Sequence, residues 1–404
     1  MSAEQKRPIR VLMVVRQYHP WIGGTERQAH KLSTKLIELG VDVRVATGWW
    51  YRGTPRHEVI GSVPVDRNFA LWAMFGVRGL RKLGSYLYLA SLTWYLWRRR
   101  REYDLIHVHL LNHHAFPAVL AGRWWGKKTV VKLANSGRHS DFTQINSNEL
   151  PGQRWMLPTI LQADRFIALS AESAEELRGA GVPDDRIVRL PNGVDLPPPV
   201  RRDKAQPQAL TVTFIGRMHP QKGVDVLLAA WPQVLRRQPA LPWQLWIVGD
   251  GKLRPEMEAL ARRLGITERV RFWGQVAKVD ELLAQSDLFV LPSRSEGMSN
   301  ALLEAMAHGL PCVVSDLGGT RDVIEPDANG LLVTPDDPDR LAEALARLGG
   351  DPALRARLGA AARATIEARY SLDSVARRYI ELYRGLLQQP EPAADASPRL
   401  RPQA

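Results

Sequence analysis

The 404-residue sequence contains a single cysteine, Cys312, so a framework of disulfide bonds is excluded. Cys312 lies in an apolar run, where the simplest interpretation is a small core residue in a reducing compartment. Residues 1–10 are polar and charged and lack the apolar stretch of a signal peptide, which favours a cytoplasmic protein. The sequence also lacks a helix-turn-helix pattern, a set of zinc ligands and the aromatic signature of an RNA-binding domain, so no nucleic-acid partner is expected.

Positive charge is concentrated in the first half of the chain. Of the formal net charge of +13, residues 1–195 supply +11, with 28 Lys and Arg against 17 Asp and Glu. A basic surface of this kind favours an anionic partner, such as anionic lipid or a phosphorylated acceptor.

Much of this excess surrounds one apolar, aromatic-rich run at residues 83–97, which is followed by four consecutive arginines at 98–101. The run is shorter than the roughly 20 residues that a membrane-spanning helix needs. Two interpretations remain open and do not exclude each other. The helix lies on an anionic membrane surface, at the inner face of the cytoplasmic membrane, or it packs on a sheet with Trp and Tyr facing inward and the arginines solvated.

Strand-like apolar runs alternate with helical patterns, which is typical of α/β proteins with parallel sheets. The hydrophobic content of 45% and the chain length allow two domains. Prolines and charges at residues 196–209 predict a linker, and the Pro- and Ala-rich residues 389–404 predict a disordered tail. Strands are expected at residues 11–15, 41–46, 105–108, 129–133, 166–169, 187–190, 212–215, 244–248, 270–273, 288–291 and 312–314.

Two carboxylates, Glu296 and Glu304, flank the start of a predicted helix that follows the apolar strand at residues 288–291. Ser299 and Asn300 are good N-cap residues, so the free N–H groups and the positive end of the helix can face a diphosphate. Carboxylates accept hydrogen bonds from hydroxyl groups, and Glu296 and Glu304 suit a sugar and a ribose on the two sides of the phosphates. The alternative is a pair of acids that only stabilise a helix start.

Two cations, Arg217 and Lys222, lie in the loop after the strand at residues 212–215, where they can converge on one anion. Negative charge develops on the leaving phosphate when a sugar nucleotide is cleaved, and these cations would stabilise it. The alternative is two solvated loop cations. Gly23 and Gly24, after the first strand, would let the backbone approach a phosphate, although such a turn needs glycine for its geometry alone.

The C-terminal half resembles the retaining glycosyltransferases of family 4. The resemblance depends on an ordered set of motifs rather than on one of them: Gly216-Arg217 with Lys222-Gly223, Val248-Gly249-Asp250-Gly251, Phe272-Trp273-Gly274, Glu296 with Glu304, residues 318–324, and residues 329–333.

This resemblance implies an α/β protein with the GT-B fold, in which two Rossmann-like parallel-sheet domains face a central cleft. It places an acceptor domain at residues 1–195, the linker at 196–209, a donor domain at 210–370 and a helix at 371–388 that crosses back to the first domain. It implies transfer of a sugar from a nucleotide-diphosphate sugar to an acceptor hydroxyl with retention of configuration. The basic first domain favours a lipid-linked or cell-envelope saccharide as acceptor.

The resemblance also assigns site residues. It implies catalytic roles for Arg217, Lys222 and Glu296. Many family members place a His close to the transferred sugar, and Asn135 occupies the matching position here. His139 or Asp141, a few residues later, is the candidate to compensate for the missing His. The remaining candidates are donor-binding Gly23, Gly24, Gly251, Gly297, Met298, Ser299, Asn300 and Glu304, and the acceptor or sugar contacts His109, Asn135, His139 and Asp141.

No cofactor or metal is expected, because Arg217 and Lys222 can stabilise the leaving group. Asp337 and Asp339 match an Asp-x-Asp metal motif, but they precede a predicted helix, where Asp is a common cap. His107 and His109 have no nearby Cys or carboxylate that would complete a zinc site. Two other functions remain open: a sugar-nucleotide-binding protein without turnover, and an epimerase or hydrolase of sugar nucleotides on the same scaffold.

Overall fold

Two parallel sheets organise the computed structural model, which describes residues 7–20, 23–71, 78–135, 140–147, 150–199 and 209–388. The first sheet has eight strands in the order β3-β4-β2-β1-β5-β6-β7-β8, and only β3 runs antiparallel to its neighbour. Its strands are β1 Arg10–Val15, β2 Asp42–Trp49, β3 His57–Ile60, β4 Val63–Phe69, β5 Leu105–His109, β6 Lys128–Lys132, β7 Arg165–Ala168 and β8 Ile187–Arg189.

The second sheet has six parallel strands in the order β11-β10-β9-β12-β13-β14. This arrangement of two parallel-sheet α/β domains is the GT-B fold that the sequence predicts. The strands are β9 Leu210–Ile215, β10 Trp243–Val248, β11 Val270–Gly274, β12 Leu288–Leu291, β13 Cys312–Ser315 and β14 Leu331–Val333.

Helices connect the strands and cover both sheets, as right-handed crossovers between parallel strands require. Those between residues 7 and 199 are α1 Gly24–Glu38, α2 Arg78–Arg98, α3 Ala115–Trp125, α4 Asp141–Asn146, α5 Leu157–Ile160 and α6 Ala171–Gly179. Those between residues 209 and 388 are α7 Val224–Arg237, α8 Arg254–Arg263, α9 Val279–Gln285, α10 Asn300–Ala307, α11 Gly318–Arg321, α12 Pro338–Gly350, α13 Pro352–Arg369 and α14 Leu372–Gln388.

Side chains alternate between the two faces of the sheet along each strand. Helices cover both faces of the first sheet, so both sets of side chains are buried. On β1, Leu12 and Val14 join the core beneath α2 and α3. Met13 and Val15 join the opposite core beneath α1 and α14. The second domain has one large core, in which the single cysteine, Cys312, is fully buried as expected.

Each predicted strand overlaps an observed strand, and three observed strands were not predicted. The edge strand β3 has the polar, half-exposed sequence His-Glu-Val-Ile, and β4 contains Pro64 together with Asp66, Arg67 and Asn68. Neither has an apolar run, because β3 has solvent on one side and β4 uses its polar groups in an internal network. β14 has only three residues.

The aromatic-rich segment forms α2, which combines parts of both interpretations of the sequence. Tyr88 and Tyr95 face inward as the core interpretation predicts, whereas Trp94 and Trp97 are 56% and 48% exposed. Among the described residues, no helix has the length and apolar character needed to cross a bilayer.

The C-terminal helix α14 completes the core of the first domain. Its buried residues recur every three or four positions, which gives one apolar face. That face packs against α1 and adds Tyr379, Ile380 and Tyr383 to the core beneath β1. The segment that leads into α14 lies beside Val194, at the end of the first domain. The Val194 N–H donates to Tyr370 O at 2.9 Å, and the Leu372 N–H donates to Val194 O at 2.8 Å. The predicted tail at 389–404 and most of the predicted linker lie outside the described residues.

Two tyrosines of α14 provide a matched test of this docking. The Tyr383 hydroxyl is 2.7 Å from Nδ1 of buried His107, whereas the Tyr379 hydroxyl has no hydrogen-bond partner among the described residues. Tyr383→Phe should therefore leave a buried nitrogen unpaired and lower the free energy of unfolding by about 1 to 3 kcal/mol. Tyr379→Phe should leave it unchanged or raise it. Thermal unfolding of both variants compares them, and equal losses would contradict this account of the α14 contact.

Candidate functional site

A cavity of about 360 Å³ lies beside the domain junction, but a larger one of about 780 Å³ contains nearly all of the predicted site residues. The larger cavity, here called the cleft, lies between the carboxyl ends of strands from both sheets, which is where open α/β sheets bind ligands. The predicted residues that line it are Gly23, Gly24, His109, Asn135, Arg217, Lys222, Glu296, Gly297, Met298, Ser299, Asn300 and Glu304.

Two helices, one from each domain, begin at the cleft. α10 starts as predicted, with the Ser299 side chain accepting a hydrogen bond from the Leu302 N–H at 3.4 Å. α1 starts at Gly24 on the opposite wall. The first N–H groups of a helix have no intrahelical partner, and the helix dipole is positive at this end. The two walls therefore both present N–H donors and positive potential to the space between them.

Lys222 and Glu296 form an ion pair at the floor of the cleft. Lys222 Nζ lies 2.5 Å from Oε1 of Glu296, whose side chain is 7% exposed. The Ser293 hydroxyl donates to the same oxygen at 2.7 Å. Neither bond uses Oε2, so Glu296 retains an oxygen that can accept a hydroxyl proton. The pair thus supplies a cation and a hydroxyl acceptor side by side.

Arg294 ties the Lys222 loop to the Glu296 loop, a role that the sequence analysis missed. Its guanidinium forms a bidentate pair with Asp225 at 2.7 and 2.9 Å and a further ion pair with Asp336 at 2.6 Å. The hydrogen bond to Asp225 is the main cause that raises the pKa of Arg294, so the group stays charged. Its backbone N–H donates to Gln221 O at 2.8 Å, which joins the two loops directly. An arginine between acidic loops has no sequence pattern of its own.

Arg217 is exposed at the cleft and has no ion-pair partner among the described residues, so its guanidinium is available to an anion. Gly249, opposite, has φ of +129°, and a side chain there would collide with the carbonyl oxygen of Gly216. Gly251 does not line the cleft. A Cβ at Gly251 would lie 2.4 Å from Met218 O, so this glycine permits a tight backbone contact, which differs from the predicted donor contact.

Glu304 lies at the boundary between the domains. Its carboxylate is 3.5 Å from Nζ of Lys31 on α1, and Lys31 also pairs with Asp195 at 3.0 Å. Burial raises the pKa of Glu304, and the nearby Lys31 and Arg27 oppose that shift. Lys31 was not predicted as a site residue, because one lysine on an amphipathic helix carries no distinguishing signal.

A chain of hydrogen bonds crosses the cleft behind α10. Lys132 Nζ donates to Asn192 Oδ1 at 2.8 Å, and Asn192 Nδ2 donates to Asn300 Oδ1 at 2.8 Å. Asn300 Nδ2 in turn lies 3.4 Å from Gly24 O at the start of α1. Lys132 and Asn192 both line the cleft, and neither was predicted. The available signal was a lysine that directly follows the buried Val130 and Val131 of β6.

Asp141 does not reach the cleft, in contrast to the predicted sugar or acceptor contact. Its carboxylate is fully buried and accepts hydrogen bonds from the N–H groups of Leu111, Ala134 and Asn135 and from Asn135 Nδ2, at 2.8 to 3.3 Å. Burial raises the pKa of Asp141 to about 7, while these four donors favour the charged form. Asp141 thus positions the loop that brings Asn135 to the cleft. His139 lies outside the described residues.

The histidines form a buried group at the carboxyl end of β5. His107 and His109 stack with ring centroids 4.4 Å apart, and burial lowers the pKa of both, so they are neutral at pH 7. Within the described residues, no three His, Cys, Asp or Glu side chains are placed to hold a metal ion. Asp337 caps α12 as predicted, accepting from the Arg340 N–H at 2.9 Å.

Comparison with known proteins finds matching family profiles, a similar enzyme and similar solved structures. The profile of the Glycosyltransferase Family 4 matches residues 22–197, and that of the Glycosyl transferases group 1 matches residues 209–351. The D-inositol 3-phosphate glycosyltransferase of Nocardia farcinica is 32% identical over 364 residues, which cover 83% of this chain and 79% of that protein.

Two solved structures show the same fold. Sucrose-phosphate synthase from Thermosynechococcus elongatus aligns with a TM-score of 0.76 at 23% identity and covers 93% of this chain and 99% of its own. Anabaena HepE in complex with UDP and glucose aligns with a TM-score of 0.73 at 21% identity and the same coverage. The chain therefore belongs to the glycosyltransferases of family 4 and has their GT-B fold.

Proposed function

We propose that this glycosyltransferase moves a sugar from a nucleotide-diphosphate sugar to an acceptor hydroxyl with retention of configuration. The observation that carries the proposal is the convergence in one cleft of two helix starts, Arg217, Lys222 and the two carboxylates Glu296 and Glu304. The complex of HepE with UDP and glucose, a protein of the same fold, supports a nucleotide-sugar donor.

The cations act on the leaving group. As the glycosidic bond breaks, negative charge develops on the diphosphate, and preorganised cations and N–H donors stabilise it without rearrangement. Lys222 is held in place by Glu296, and the start of α10 lies beside it. No metal is proposed, because the protein supplies the positive charge itself.

The carboxylates orient the donor. Glu296 has Oε2 unused by Lys222 and Ser293, and it accepts a hydroxyl of the transferred sugar in this proposal. Glu304 lies four residues inside α10 and accepts a ribose hydroxyl. Asn135 contributes its exposed face to the sugar side of the cleft, where the resemblance places a histidine in many family members.

Two rival functions use the same site. A sugar-nucleotide-binding protein would bind donor without consuming it, and an epimerase or hydrolase would consume donor without an acceptor. Measuring donor loss with and without lipid-linked and soluble saccharide acceptors separates the three. Acceptor-dependent release of nucleoside diphosphate supports transfer.

The acceptor is proposed to be a lipid-linked or cell-envelope saccharide, which α2 brings within reach by docking on an anionic bilayer. Arg98 and Arg100 lie over the rings of Trp94 and Trp97, at 5.1 and 5.2 Å, so cations and exposed aromatic rings form one surface. Within the described residues, neither arginine has a carboxylate partner. Aromatic rings at the headgroup level and unpaired cations match an anionic lipid surface. In this proposal the membrane is the cytoplasmic membrane, and the protein binds its inner face.

Arg217→Ala and Lys222→Ala should each lower turnover by about 100-fold or more, as loss of one transition-state donor does. Arg217 is exposed and unpaired, so its variant should keep the wild-type melting temperature. Lys222→Ala leaves Glu296 with one fewer partner and should melt somewhat lower. Steady-state turnover is compared with that of Arg262→Ala, which removes an exposed cation of α8. Wild-type turnover in either cleft variant would remove that residue from the proposed mechanism.

Glu304→Gln should weaken binding of the free nucleoside diphosphate, because the ribose contact is made with or without the sugar. Glu296→Gln should weaken only the sugar conjugate. Calorimetry of both ligands against both variants measures the four affinities, with Glu343→Gln, a change at an exposed residue of α12, as the control. Equal losses in all four pairings would contradict this division between the carboxylates.

A variant with Arg98, Arg100 and Arg101 changed to Gln should lose binding to vesicles that contain anionic lipid, since each cation contributes roughly 1 kcal/mol near such a surface. Arg99 is left intact because it pairs with Glu102 at 2.6 Å within the fold. Co-sedimentation at low and high salt measures binding, which screening should weaken. Arg262, Arg263 and Arg269 changed to Gln remove the same charge from the second domain and should bind as wild type. If vesicle binding changes neither with salt nor in the variant with Arg98, Arg100 and Arg101 changed to Gln, these arginines do not form a lipid-binding surface.

A further inference from the structure

Lys132 is a buried cation of the cleft with no anionic partner. Lys132 ends β6, is 5% exposed, and lines the same cavity as Arg217, Lys222 and the start of α10. Its hydrogen bond within the described residues goes to Asn192 Oδ1, a neutral amide. An ammonium has three N–H donors, so this bond leaves most of its capacity unused.

The groups around Lys132 do not compensate its charge. β5 contributes His107 and His109, which burial keeps neutral, and α14 contributes the Tyr379 ring, whose centroid is 5.8 Å from Nζ. Beyond Asn192, the chain of hydrogen bonds leads to Asn300 at the start of α10. In the described part of the chain, none of these elements brings a carboxylate within ion-pair distance of Lys132.

A buried cation in this situation is costly unless something pairs with it. Burial accordingly lowers the pKa of Lys132 to about 7, far below the usual value for lysine. An apolar residue of the same length would fill this position without that cost. Lys132 lines a cavity, and two hydrogen bonds connect it through Asn192 to Asn300 at the start of α10. This environment suits a lysine that pairs with the anion of a ligand.

We propose that Lys132 is the first domain's ligand for the diphosphate of the donor, and that its side-chain amine takes a proton from solvent and becomes an ammonium group as the diphosphate binds. This inference rests on the proposed function, in which the donor is a nucleotide-diphosphate sugar. It adds that Lys132 contacts the diphosphate and that a proton is taken up when the donor binds. The balance is one proton taken from buffer onto Nζ, with no covalent bond made or broken. Asn192 already links Lys132 to Asn300, so a diphosphate bound to Lys132 contacts a network that connects the first-domain sheet to α10.

The direct measurement is calorimetric titration with UDP at pH 8.0 in two buffers of different ionisation enthalpy, Tris and HEPES. At this pH the terminal phosphate is ionised, since its pKa is about 6, and the buried histidines are neutral. Free Lys132 is then about nine-tenths uncharged, given its pKa of about 7. Wild-type protein should therefore take up more than half a proton per UDP bound.

Three variants separate charge from structure. Lys132→Met should take up no proton and bind UDP at least tenfold more weakly. Lys132→Arg is charged at every pH, so it should bind UDP without proton uptake. Lys128→Met lies at the far end of the same strand, where Lys128 pairs with Asp164 at 3.6 Å, and should match wild type in both readouts.

Stability gives a second readout that needs no ligand. Between pH 7 and about 10 the unfolded chain holds a proton on Lys132 that the folded chain lacks, so this group makes the wild type more stable as pH rises through that window. Lys132→Met should lose this dependence and melt at the same or a higher temperature than wild type at pH 7, as replacement of an unpaired buried charge does.

The outcomes separate this inference from the function on which it rests. Tight UDP binding with equal proton uptake in wild type and Lys132→Met would overturn the role of Lys132 and leave the donor proposal intact. Proton uptake with UDP-glucuronate but not with UDP would show that Lys132 contacts the sugar carboxylate instead of the diphosphate. That result would also overturn the inference. Failure of UDP, GDP and ADP all to bind the wild type would overturn the donor proposal and the inference together.

Discussion

The ion pair between Lys222 and Glu296 is the interaction on which the cleft depends. It joins two loops of the second domain that follow different strands, and Arg294 and Asp225 hold those loops from the other side. Because Glu296 is almost fully buried, Lys222 is fixed in position before any ligand arrives. A preorganised cation of this kind stabilises developing charge better than one that must move. The remaining cleft residues are arranged around this fixed point.

The first domain contributes charge in a different way. Lys31 reaches across to Glu304, and Lys132 reaches Asn300 through Asn192. These polar contacts connect the two domains at the cleft. Their energies are small enough for a ligand to compete with them, since a net hydrogen bond contributes about 1 kcal/mol.

Much of the fold could be predicted from the sequence because parallel strands buried on both faces are continuous apolar runs. Two of the three strands that were missed, β3 and β4, carry polar residues that alternate or form an internal network around Asp66. Glu296, Glu304 and the start of α10 were predictable because they are close together in sequence. Lys132 and Asn192 are 60 residues apart and Lys31 and Glu304 are 273 apart, so their pairing depends on the fold and no local pattern shows it. The sequence could not show that the Asp141 carboxylate is buried against Leu111, Ala134 and Asn135, because spacing alone does not show which way a side chain points.

The chain crosses between the domains twice, and at Val194 the two crossings are hydrogen-bonded to each other. Because two neighbouring connections hold the domains together at this point, the domains cannot separate there, and a change in the width of the cleft would require rotation about the paired crossings. This rotation would part Asn192 from Asn300 and Lys31 from Glu304 together, while α14 would stay with the first domain. The contacts across the cleft would then open and close together. A molecule that binds both walls would fix the distance between the walls for all of the cleft residues.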